Sequence, residues 1–455
     1  ADAKPGTDVR KALALDERVL TFKLTPNRAD CLSVLGIARE VSALTGGKLN
    51  TPKIKPIPQK IKARHPFKIT HAEGCGRFAG RVIRDVNAAA PTPEWMRRRL
   101  ERAGQRSISA LVDVTNYLML ELGRPLHVYD MDKLQGAINV RWGRKGEKVL
   151  LLNGQQVEVD GTVLCICDDS GAIGLGGIMG GETTKAETGT RHLFLESAFF
   201  FPEAVAGRAR RYNFTSDAAH RFERGVDFAN NVDGIERATQ LILEICGGEP
   251  GPTVDLVKRL PQRKPVRMRV ARARKVLGFD VDAKEVESVF RRLGFSYRRK
   301  KDSFTVNQPT YRFDLAIEED LIEEVARLHG FENIPALPPR AVARMSAPPE
   351  AKRSLHAVRE RLAACDYQET INFAFVEPAW EADFAGESNP VRLLNPIASQ
   401  SSVMRSTLLG SLLANVRYNH ARKLPRIRVF ELGRVYLRDP AAGAGPLAVA
   451  GLRQP

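Results

Sequence analysis

The residues best suited to chemistry lie between positions 187 and 227, in the stretch ETGTRHLFLESAFFFPEAVAGRARRYNFTSDAAHRFERGVD. An apolar, strand-like run ends there on a lone carboxylate, Glu196, and a predicted helix of small residues with three arginines follows it. A Ser/Thr/Asp turn and the sequence HRFERG come next. One acid, one polar turn and a dense set of cations around one pocket suit a ligand that joins a small group to a polyanion.

Polar residues and glycines outside this stretch are candidates for the same pocket. Thr115 and Asn116 of DVTN offer a hydroxyl and an amide, and His127 of RPLHVYD is predicted to lie in a turn after a helix. The glycines of AIGLGGIMGGE would bring backbone close to a ligand, with amide donors near a carbonyl. These glycines are Gly176, Gly177, Gly180 and Gly181.

Each candidate also has a structural interpretation. A single histidine in a turn is more often a hydrogen-bonding residue than a catalyst, and Glu196 pairs readily with a neighbouring arginine. The glycines fit ordinary turns and do not have the spacing of a dinucleotide fingerprint, while DVTN fits a helix cap. No Ser-His-Asp or Cys-His nucleophile set is evident in the sequence.

An acidic helix predicted in YRFDLAIEEDLIEEVARLHG is a second candidate site. Its apolar residues share one face, and the opposite face carries Asp320, Glu323 and Glu324, with Asp314 six residues before the first of them. Oxygen ligands of this kind suit Mg²⁺. The same acids would also complement the helix dipole or pair with Arg327. Spacing therefore leaves a metal site and a solvated helix face both open.

The charge of the chain favours a nucleic acid partner. Its 70 Lys and Arg exceed its 53 Asp and Glu, which gives a net charge of +17 and a pI near 9.8. The cations cluster at positions 97–99, 208–211, 266–275 and 298–301. Clustered cations favour binding to a phosphate polymer, whereas cations that serve only solubility would be spread evenly over the surface. Some of these clusters also fit solvated helix faces.

Composition also predicts a cytoplasmic protein. No stretch of about 18 apolar residues is present, so we expect no membrane partner. The 6 cysteines are spread over the length, which is typical of reduced thiols, and Cys165 and Cys167 fit a strand better than a metal pair. The first and last residues suggest a fragment of a longer protein.

The pattern of the 455 residues predicts an α+β multidomain chain. A strand-helix segment with a Pro/Lys-rich linker occupies residues 1–70, and a mixed α/β domain occupies 71–250. A small domain with the acidic helix covers 264–335, and a partial domain of helices and strands covers 352–455. The proline-dense stretch ENIPALPPRAVARMSAPPEA marks the boundary between the last two.

Five motifs, in this order along the chain, resemble the β subunit of bacterial phenylalanine–tRNA ligase. They are TPNRADCLSVLGIARE, VDVTNYLMLELGRPLHVYD, GGIMGGE, GRARRYNFTSDAAHRFERGVD and YRFDLAIEEDLIEEVARLHGFENIP. The resemblance covers essentially the whole chain, and parts of the family are missing at both ends. It implies a tRNA-editing domain at 71–250 and a winged-helix-like domain at 264–335. It also implies that 352–455 is a partial, inactive class II synthetase-like domain with an antiparallel sheet.

The resemblance implies a division of labour in an α₂β₂ complex. The α subunit would carry the phenylalanine and ATP site, while this chain would contact tRNA, with no DNA partner, and hydrolyse tyrosine wrongly attached to that tRNA. A pocket built for phenylalanine rejects an isostere that adds a hydroxyl by only about a hundredfold. A second site that hydrogen-bonds the phenol discriminates far better, because its polar groups stay unpaired with the wrong substrate.

The resemblance also gives roles to individual residues. Glu196 would accept the tyrosine hydroxyl, His127 would help to place the hydrolytic water, and Ser216 and Ala218 would form a wall of small residues. Mg²⁺ would bind at Asp314, Asp320, Glu323 and Glu324; alternatively, these acids would grip basic groups of the partner subunit. Two other functions stay open, a tRNA-binding scaffold with an inert pocket and a free-standing aminoacyl-tRNA deacylase.

Overall fold

The computed structural model describes residues 4–12, 15–338, 341–342, 344, 347, 354–385 and 389–438. The chain divides into two units, Ala1–Leu337 and Pro338–Pro455. The division falls within the proline-dense stretch in which the sequence predicted a boundary. Over the described residues, no helix combines the length and the apolar character that crossing a bilayer requires.

The first unit contains three successive groups of elements. The N-terminal group has two helices, α1 (Val9–Ala12) and α2 (Val34–Thr45). The central group runs from residue 67 to 257 and consists of β1 (Phe67–Ile69), β2 (Cys75–Arg84), α3 (Glu94–Arg102), α4 (Ala110–Leu122), β3 (His127–Asp130), β4 (Ile138–Trp142), β5 (Glu147–Leu150), β6 (Gln156–Val159), β7 (Leu164–Asp168), β8 (Gly171–Leu175), β9 (Met179–Gly180), β10 (Leu193–Phe200), α5 (Pro202–Val205), α6 (Arg208–Arg211), α7 (Asp217–Phe222), α8 (Asn231–Cys246), β11 (Glu249–Pro250) and β12 (Val254–Val257).

Two sheets and a layer of helices build the central group. The first sheet has the order β1-β4-β7-β8-β9, and the second has the order β11-β2-β10-β3, with β12 also paired to β2. One apolar core lies between the sheets and includes Phe78, Phe194 and Ile166. A second core lies between the other face of the second sheet and helices α3, α4 and α8. The second sheet is therefore covered on both faces.

Strand β10 is the centre of this arrangement. All eight of its residues are buried: Phe194, Ala198 and Phe200 belong to the core between the sheets, and Leu193 and Leu195 belong to the core against the helices. Burial on both faces explains why the sequence HLFLESAFF is apolar without alternation. The strand does not end at Glu196, as the sequence suggested; it continues to Phe200 and places Glu196 in its middle.

The third group forms around a three-stranded antiparallel sheet of order β13-β15-β14. Its elements are β13 (Val266–Arg269), α9 (Val270–Leu277), α10 (Ala283–Arg292), β14 (Ser296–Lys300), β15 (Ser303–Asn307) and α11 (Glu318–His329). Ala43 of α2 is part of its apolar core. The N-terminal helix thus packs onto this group.

The second unit differs from the antiparallel sheet that the sequence predicted. Its described elements are α12 (Leu355–Ala364), β16 (Gln368–Glu369), β17 (Phe375–Val376), α13 (Pro378–Ala385), β18 (Val403–Met404), α14 (Leu409–His420) and β19 (Val429–Phe430). β16 pairs with β19 in parallel and β17 pairs with β18 in antiparallel, each as a two-stranded sheet. Ile371 and Phe373, which lie between β16 and β17, are 94% and 85% exposed, so this stretch has no facing layer among the described residues.

Candidate functional site

A cavity of about 80 Å³ lies in the core between the two sheets of the central group. Its walls come from β3, β7, β10, α7, and the β8–β9 hairpin. The lining residues are Pro125, Leu126, His127, Tyr129, Ile166, Gly174, Leu175, Gly177, Ile178, Met179, Gly180, Glu196, Phe200, Ala218 and Phe222. The cavity is mostly apolar, with one carboxylate, one imidazole and one phenol among its walls.

Strand pairing brings His127 and Glu196 to this cavity. The two residues are direct partners in the antiparallel register of β3 and β10. Side chains of directly opposed residues lie on the same face of a sheet, about 4.5–5.5 Å apart at Cβ. His127 is therefore the first residue of a strand and not part of a turn, which corrects the sequence interpretation.

Arg124 fixes the chain just before β3. Its guanidinium is fully buried and donates to the Ala198 carbonyl of β10 at 2.7 Å and to the Asn230 side chain at 2.9 Å. Gly123, with φ of 71°, ends α4 in the left-handed conformation immediately before it. The turn into β3 is thus tied to β10 by hydrogen bonds of a buried cation, which keeps the start of β3 beside the middle of β10.

Glu196 is a buried carboxylate with a single protein donor among the described residues. The Tyr129 hydroxyl donates to its Oε2 atom at 2.6 Å. Burial raises the pKa of Glu196 to about 7, and the hydrogen bond from Tyr129 opposes that rise because it favours the charged form. Near neutral pH the carboxyl is therefore divided between an acceptor form and a neutral form.

His127 has an unsatisfied nitrogen in the cavity wall. Its Nε2 atom is buried and has no hydrogen-bond partner among the described residues. Burial lowers the pKa of His127 to about 4, so the imidazole is neutral at pH 7. A buried polar atom without a partner costs free energy unless a water or a ligand group satisfies it. His127 is thus suited to hold a water molecule or a polar ligand atom.

The β8–β9 hairpin supplies the glycines. Gly177, with φ of 71°, is in the tight turn that the Ile178 amide closes on the Leu175 carbonyl. The backbone hydrogen bonds of this turn leave the Gly177 amide without a hydrogen-bond partner among the described residues, and Gly177 lines the cavity. The amides of Gly176 and Gly181 instead donate to backbone carbonyls at 2.8 Å, so they do not fit the predicted role of carbonyl donors.

Gly180 has a different role from the one predicted. A Cβ atom built on Gly180 would lie 2.3 Å from Cε1 and 2.7 Å from Nε2 of His127. The glycine therefore makes room for the imidazole, and its close approach is to a protein side chain.

Helix α7 closes the cavity with a small side chain. Ala218 lines it, as predicted, beside Phe222 of the same helix. Ser216 is the N-cap of α7 and does not line the cavity: its hydroxyl accepts from the Ala219 amide at 3.0 Å and donates to the Ile178 carbonyl at 2.6 Å. Ser216 therefore holds α7 against the β8–β9 turn and so positions Ala218.

Thr115 and Asn116 do not join this cavity. Both lie inside helix α4, on the opposite side of the second sheet, and neither is one of the cavity-lining residues in the described chain. The buried Thr115 hydroxyl donates to the Val112 carbonyl of its own helix at 2.8 Å. The prediction placed DVTN near the pocket, or at a helix cap, because the local sequence pattern does not determine on which side of the sheets α4 packs.

The four acids predicted to bind magnesium are not brought together. Arg312 donates to both carboxylate oxygens of Asp314, and its guanidinium lies 2.9 Å from Glu324. Asp320 accepts the Ala316 and Ile317 amides at 2.7 Å at the start of α11, and Glu323 is exposed. Among the described residues, no group of three ligands within 4.8 Å of one another contains any of them. The residues as arranged do not fit a magnesium site.

Ion pairs explain this arrangement of the acids. Arg312 is 2% exposed, and burial opposes the two carboxylates that raise its pKa. Arg312 and Arg327 lower the pKa of Glu324 to about 2 against the effect of burial. Arg327 also pairs with Glu40 of α2, which in turn pairs with Arg28. The acids thus connect α11 to the N-terminal segment.

A second cluster has metal-like spacing but is also filled by a cation. The ligand atoms of Asp30, Cys31 and Glu40 lie within 4.8 Å of one another. Arg28 donates to all three, at 3.1 Å, 3.2 Å and 2.5 Å. The guanidinium occupies the position that a cation would need.

Tyr129, Phe200 and Phe222 are site residues that sequence reasoning missed. Tyr129 was detectable, because residues two apart on a strand share a face and HVYD places it beside His127. The prediction of a turn for RPLHVYD concealed that signal. The two phenylalanines belong to separate elements, and nothing local in the sequence places them at one cavity.

Comparisons with known proteins point to one family. Three family models match the chain: the B3/4 domain over residues 74–247, the tRNA synthetase B5 domain over 266–331, and the phenylalanyl tRNA synthetase beta chain CLM domain over 334–451. The phenylalanine–tRNA ligase beta subunit of Bordetella bronchiseptica is 58% identical over 455 residues, which is 100% of this chain and 56% of that protein. The chain belongs to the phenylalanine–tRNA ligase β-subunit family.

Other relatives agree with this membership. The phenylalanine–tRNA ligase beta subunit of Burkholderia pseudomallei is 56% identical over 450 residues, which is 99% of this chain and 56% of that protein. The chain thus spans about half the length of the curated β subunits that it matches. An N-terminal fragment of the phenylalanyl-tRNA synthetase β subunit from Pyrococcus horikoshii is 13% identical, with a TM-score of 0.34, and covers 67% of this chain and 84% of that chain. That structural likeness is too weak to support an argument. The cavity lies inside the B3/4 region of the β-subunit chain.

Proposed function

We propose that this β-subunit chain hydrolyses tyrosine from mischarged phenylalanine tRNA in the cavity between its two sheets. The observation that supports the proposal is the placement of Glu196 and His127 at directly paired positions on neighbouring strands, both at the wall of one apolar cavity. Glu196 offers a buried carboxylate, and His127 offers a neutral imidazole whose Nε2 atom has no hydrogen-bond partner among the described residues.

Glu196 would recognise the substrate by its phenol. A tyrosine ring entering the apolar cavity would donate its hydroxyl to the Glu196 carboxylate. A phenylalanine ring has no donor, so binding it would leave a buried acceptor without a partner, which typically costs about 1–3 kcal/mol or more for a charged group. The cavity would therefore favour tyrosine over phenylalanine, whereas a pocket built for phenylalanine favours phenylalanine.

His127 would place the attacking water. Neutral imidazole at Nε2 is able to hold one water molecule beside the ester carbonyl, and the water oxygen would form the new bond to the carbonyl carbon. The bond from that carbon to the ribose oxygen would break, and the ribose oxygen would take the proton that the attacking water gives up. Tyrosine and free tRNA would be released. Gly177, which lines the cavity and whose amide has no hydrogen-bond partner among the described residues, is the candidate donor to the carbonyl oxygen.

The wider assembly belongs to the same proposal. We infer that the chain works in the cytoplasm in an α₂β₂ complex, in which an α subunit binds ATP and phenylalanine. The net charge of +17 favours the approach of tRNA. Several clustered cations are already in ion pairs, such as Arg97 with Glu94 and Arg211 with Asp160. Exposed pairs of this kind are weak, so their arginines stay available to phosphates. Magnesium has no part in the proposed hydrolysis.

Release of tyrosine by the isolated chain tests the proposal. Phenylalanine tRNA that has been mischarged with tyrosine is incubated with the wild-type chain, with Glu196→Ala and with His127→Ala. Free tyrosine is measured over time. We expect release by the wild type and loss of release in both variants. Binding of the tRNA without any release by the wild type would favour the alternative, a tRNA-binding scaffold with an inert pocket.

A further inference from the structure

We propose that Tyr129 is a positioning residue that sets the specificity of the cavity by holding one oxygen of Glu196. The proposal rests on the proposed function, because it concerns how Glu196 meets the phenol of the substrate. Tyr129 would not touch the reacting ester. It would act through the orientation and the charge of the carboxylate.

The geometry begins with strand parity. Tyr129 lies two residues after His127 on β3, so both side chains project to the face that holds Glu196. Tyr129 is diagonal to Glu196 in the register, a separation that aromatic and long side chains can bridge. The observed hydrogen bond, from the Tyr129 hydroxyl to Oε2 of Glu196 at 2.6 Å, spans this diagonal.

Packing holds the Tyr129 ring in place. The ring is 2% exposed and meets the His127 ring edge to face, with centroids 4.4 Å apart. Its other neighbour is the Phe194 ring, at 6.3 Å. One rigid side chain thus contacts both polar groups of the cavity, and its hydroxyl has a fixed direction.

The hydrogen bond makes the two carboxylate oxygens different. Tyr129 occupies Oε2, and no protein group of the described chain donates to Oε1. A substrate phenol would therefore find a single open acceptor, the Oε1 atom of Glu196, on a carboxylate that is held in one orientation. The bound Tyr129 hydroxyl also shows that this carboxylate accepts a phenol, which is the chemistry required of the substrate.

Tyr129→Phe keeps the ring and removes only the donor. Glu196 would lose the hydrogen bond that favours its charged form, and its protonated form would persist to higher pH. Both oxygens would then be free, and the carboxyl group would rotate more freely. We expect a roughly tenfold loss in kcat/KM for tyrosyl-tRNA at neutral pH, the typical size for one hydrogen bond to a charged group.

Tyr117→Phe is the matched control. Tyr117 is also a buried tyrosine; away from the cavity, its hydroxyl donates to Glu121 at 3.0 Å within helix α4 and accepts from Arg99 at 2.9 Å. Both variants delete one hydroxyl that donates to a glutamate. A general effect of losing such a bond on folding would appear in both.

The pH profile of kcat/KM is the decisive readout. The titratable groups beside Glu196 are Tyr129 and His127 of β3 and Cys75 of β2. Burial holds the Cys75 thiol and the Tyr129 phenol neutral and lowers the pKa of His127 to about 4. A fall in kcat/KM on the acid side of neutral pH, the acid limb of the profile, therefore reports the protonation of Glu196. We expect Tyr129→Phe to move this limb to higher pH and Tyr117→Phe to leave it in place.

Three outcomes separate the two proposals. Wild-type hydrolysis with a shifted limb only in Tyr129→Phe supports the positioning role. Wild-type hydrolysis that Glu196→Ala abolishes, with an unshifted limb and unchanged kcat/KM in Tyr129→Phe, overturns the role of Tyr129 and leaves the proposed function intact. A wild-type chain that binds the tRNA but releases no tyrosine overturns both. Thermal unfolding of each variant verifies that the fold is retained.

Discussion

Gly180 leaves the space that the His127 ring occupies. A methyl group at position 180 would lie 2.3 Å from Cε1 of His127, well inside van der Waals contact. The imidazole cannot keep its position against the β9 strand if any side chain is added there. The orientation of a proposed catalytic group therefore depends on a glycine in another sheet.

Gly180→Ala should displace His127 and lower tyrosine release by roughly tenfold to a hundredfold, because misplacement of a positioning group by about 1 Å costs on that scale. Rates of tyrosine release from tyrosyl-tRNA measure the effect. Gly161→Ala is the control, since a Cβ atom there meets nothing within 4 Å and its φ is not positive. Equal rates in Gly180→Ala and the wild type would mean that the observed place of His127 is irrelevant to hydrolysis.

Ala218→Trp should close the cavity and abolish hydrolysis while the domain stays folded. The cavity measures about 80 Å³, and Ala218 is in its wall, so an indole would fill the space meant for the substrate ring. Tyrosine release and thermal unfolding are measured together. Ala206→Trp, at an exposed position at the end of α5, is the matched control and should leave the rate unchanged. Unchanged release in Ala218→Trp would remove this residue from the site.

Glu196 should make stability depend on pH. Its pKa is raised in the folded protein, so the native state binds a proton more tightly than the unfolded chain does. The stability from this group is complete below about pH 4 and is lost as pH rises to about 7. The loss amounts to at most about 3 kcal/mol.

Thermal unfolding at about pH 4 and at about pH 8, on either side of the range in which this carboxyl titrates, measures the dependence. The Tm of Glu196→Gln relative to the wild type should be higher at the alkaline pH, because the amide never becomes charged. Glu203→Gln, at an exposed position of α5, is the control and should show no such trend. A constant Tm difference for Glu196→Gln across this range would mean that the carboxyl titrates like an exposed one.

Arg312→Met should destabilise the chain by about 3–5 kcal/mol, the usual effect of removing one partner from buried ion pairs. The variant would leave the buried Asp314 carboxylate without its counter-charge and Glu324 with Arg327 alone. Denaturant unfolding measures the change. Arg298→Met, an exposed arginine on β14, should be within about 0.5 kcal/mol of the wild type.

Added Mg²⁺ should leave the Tm of the wild-type chain unchanged, because the guanidinium of Arg312 already neutralises two of the four acids. A rise in Tm with Mg²⁺ that Glu323→Ala removes would contradict this expectation. It would instead support the magnesium site that the family resemblance predicted.

Local pattern was enough to predict several parts of the site. The apolar run HLFLESAFF, which singled out Glu196, forms β10, and two motifs of the family resemblance contain His127 and Ala218; the structure places all three residues at one cavity. The mixed α/β character of the central group also follows from its alternating elements.

Pairing between distant segments set the limit of prediction. Thr115 and Asn116 belong to a conspicuous motif, but only the packing of α4 on the second sheet shows that they lie away from the cavity. Helical spacing put Asp320, Glu323 and Glu324 on one face. It could not show that Arg312, which lies outside the helix, forms an ion pair with Glu324. Register between β3 and β10, which places Tyr129 beside Glu196, is likewise a tertiary property.

The most direct test of the account is the ratio of hydrolysis rates for tyrosyl-tRNA and phenylalanyl-tRNA on the same tRNA. We predict that the wild-type chain cleaves the tyrosyl ester much faster and that Glu196→Ala brings the two rates close together. Similar rates for both esters in the wild type, or a preference that survives in Glu196→Ala, would contradict recognition of the phenol by this carboxylate.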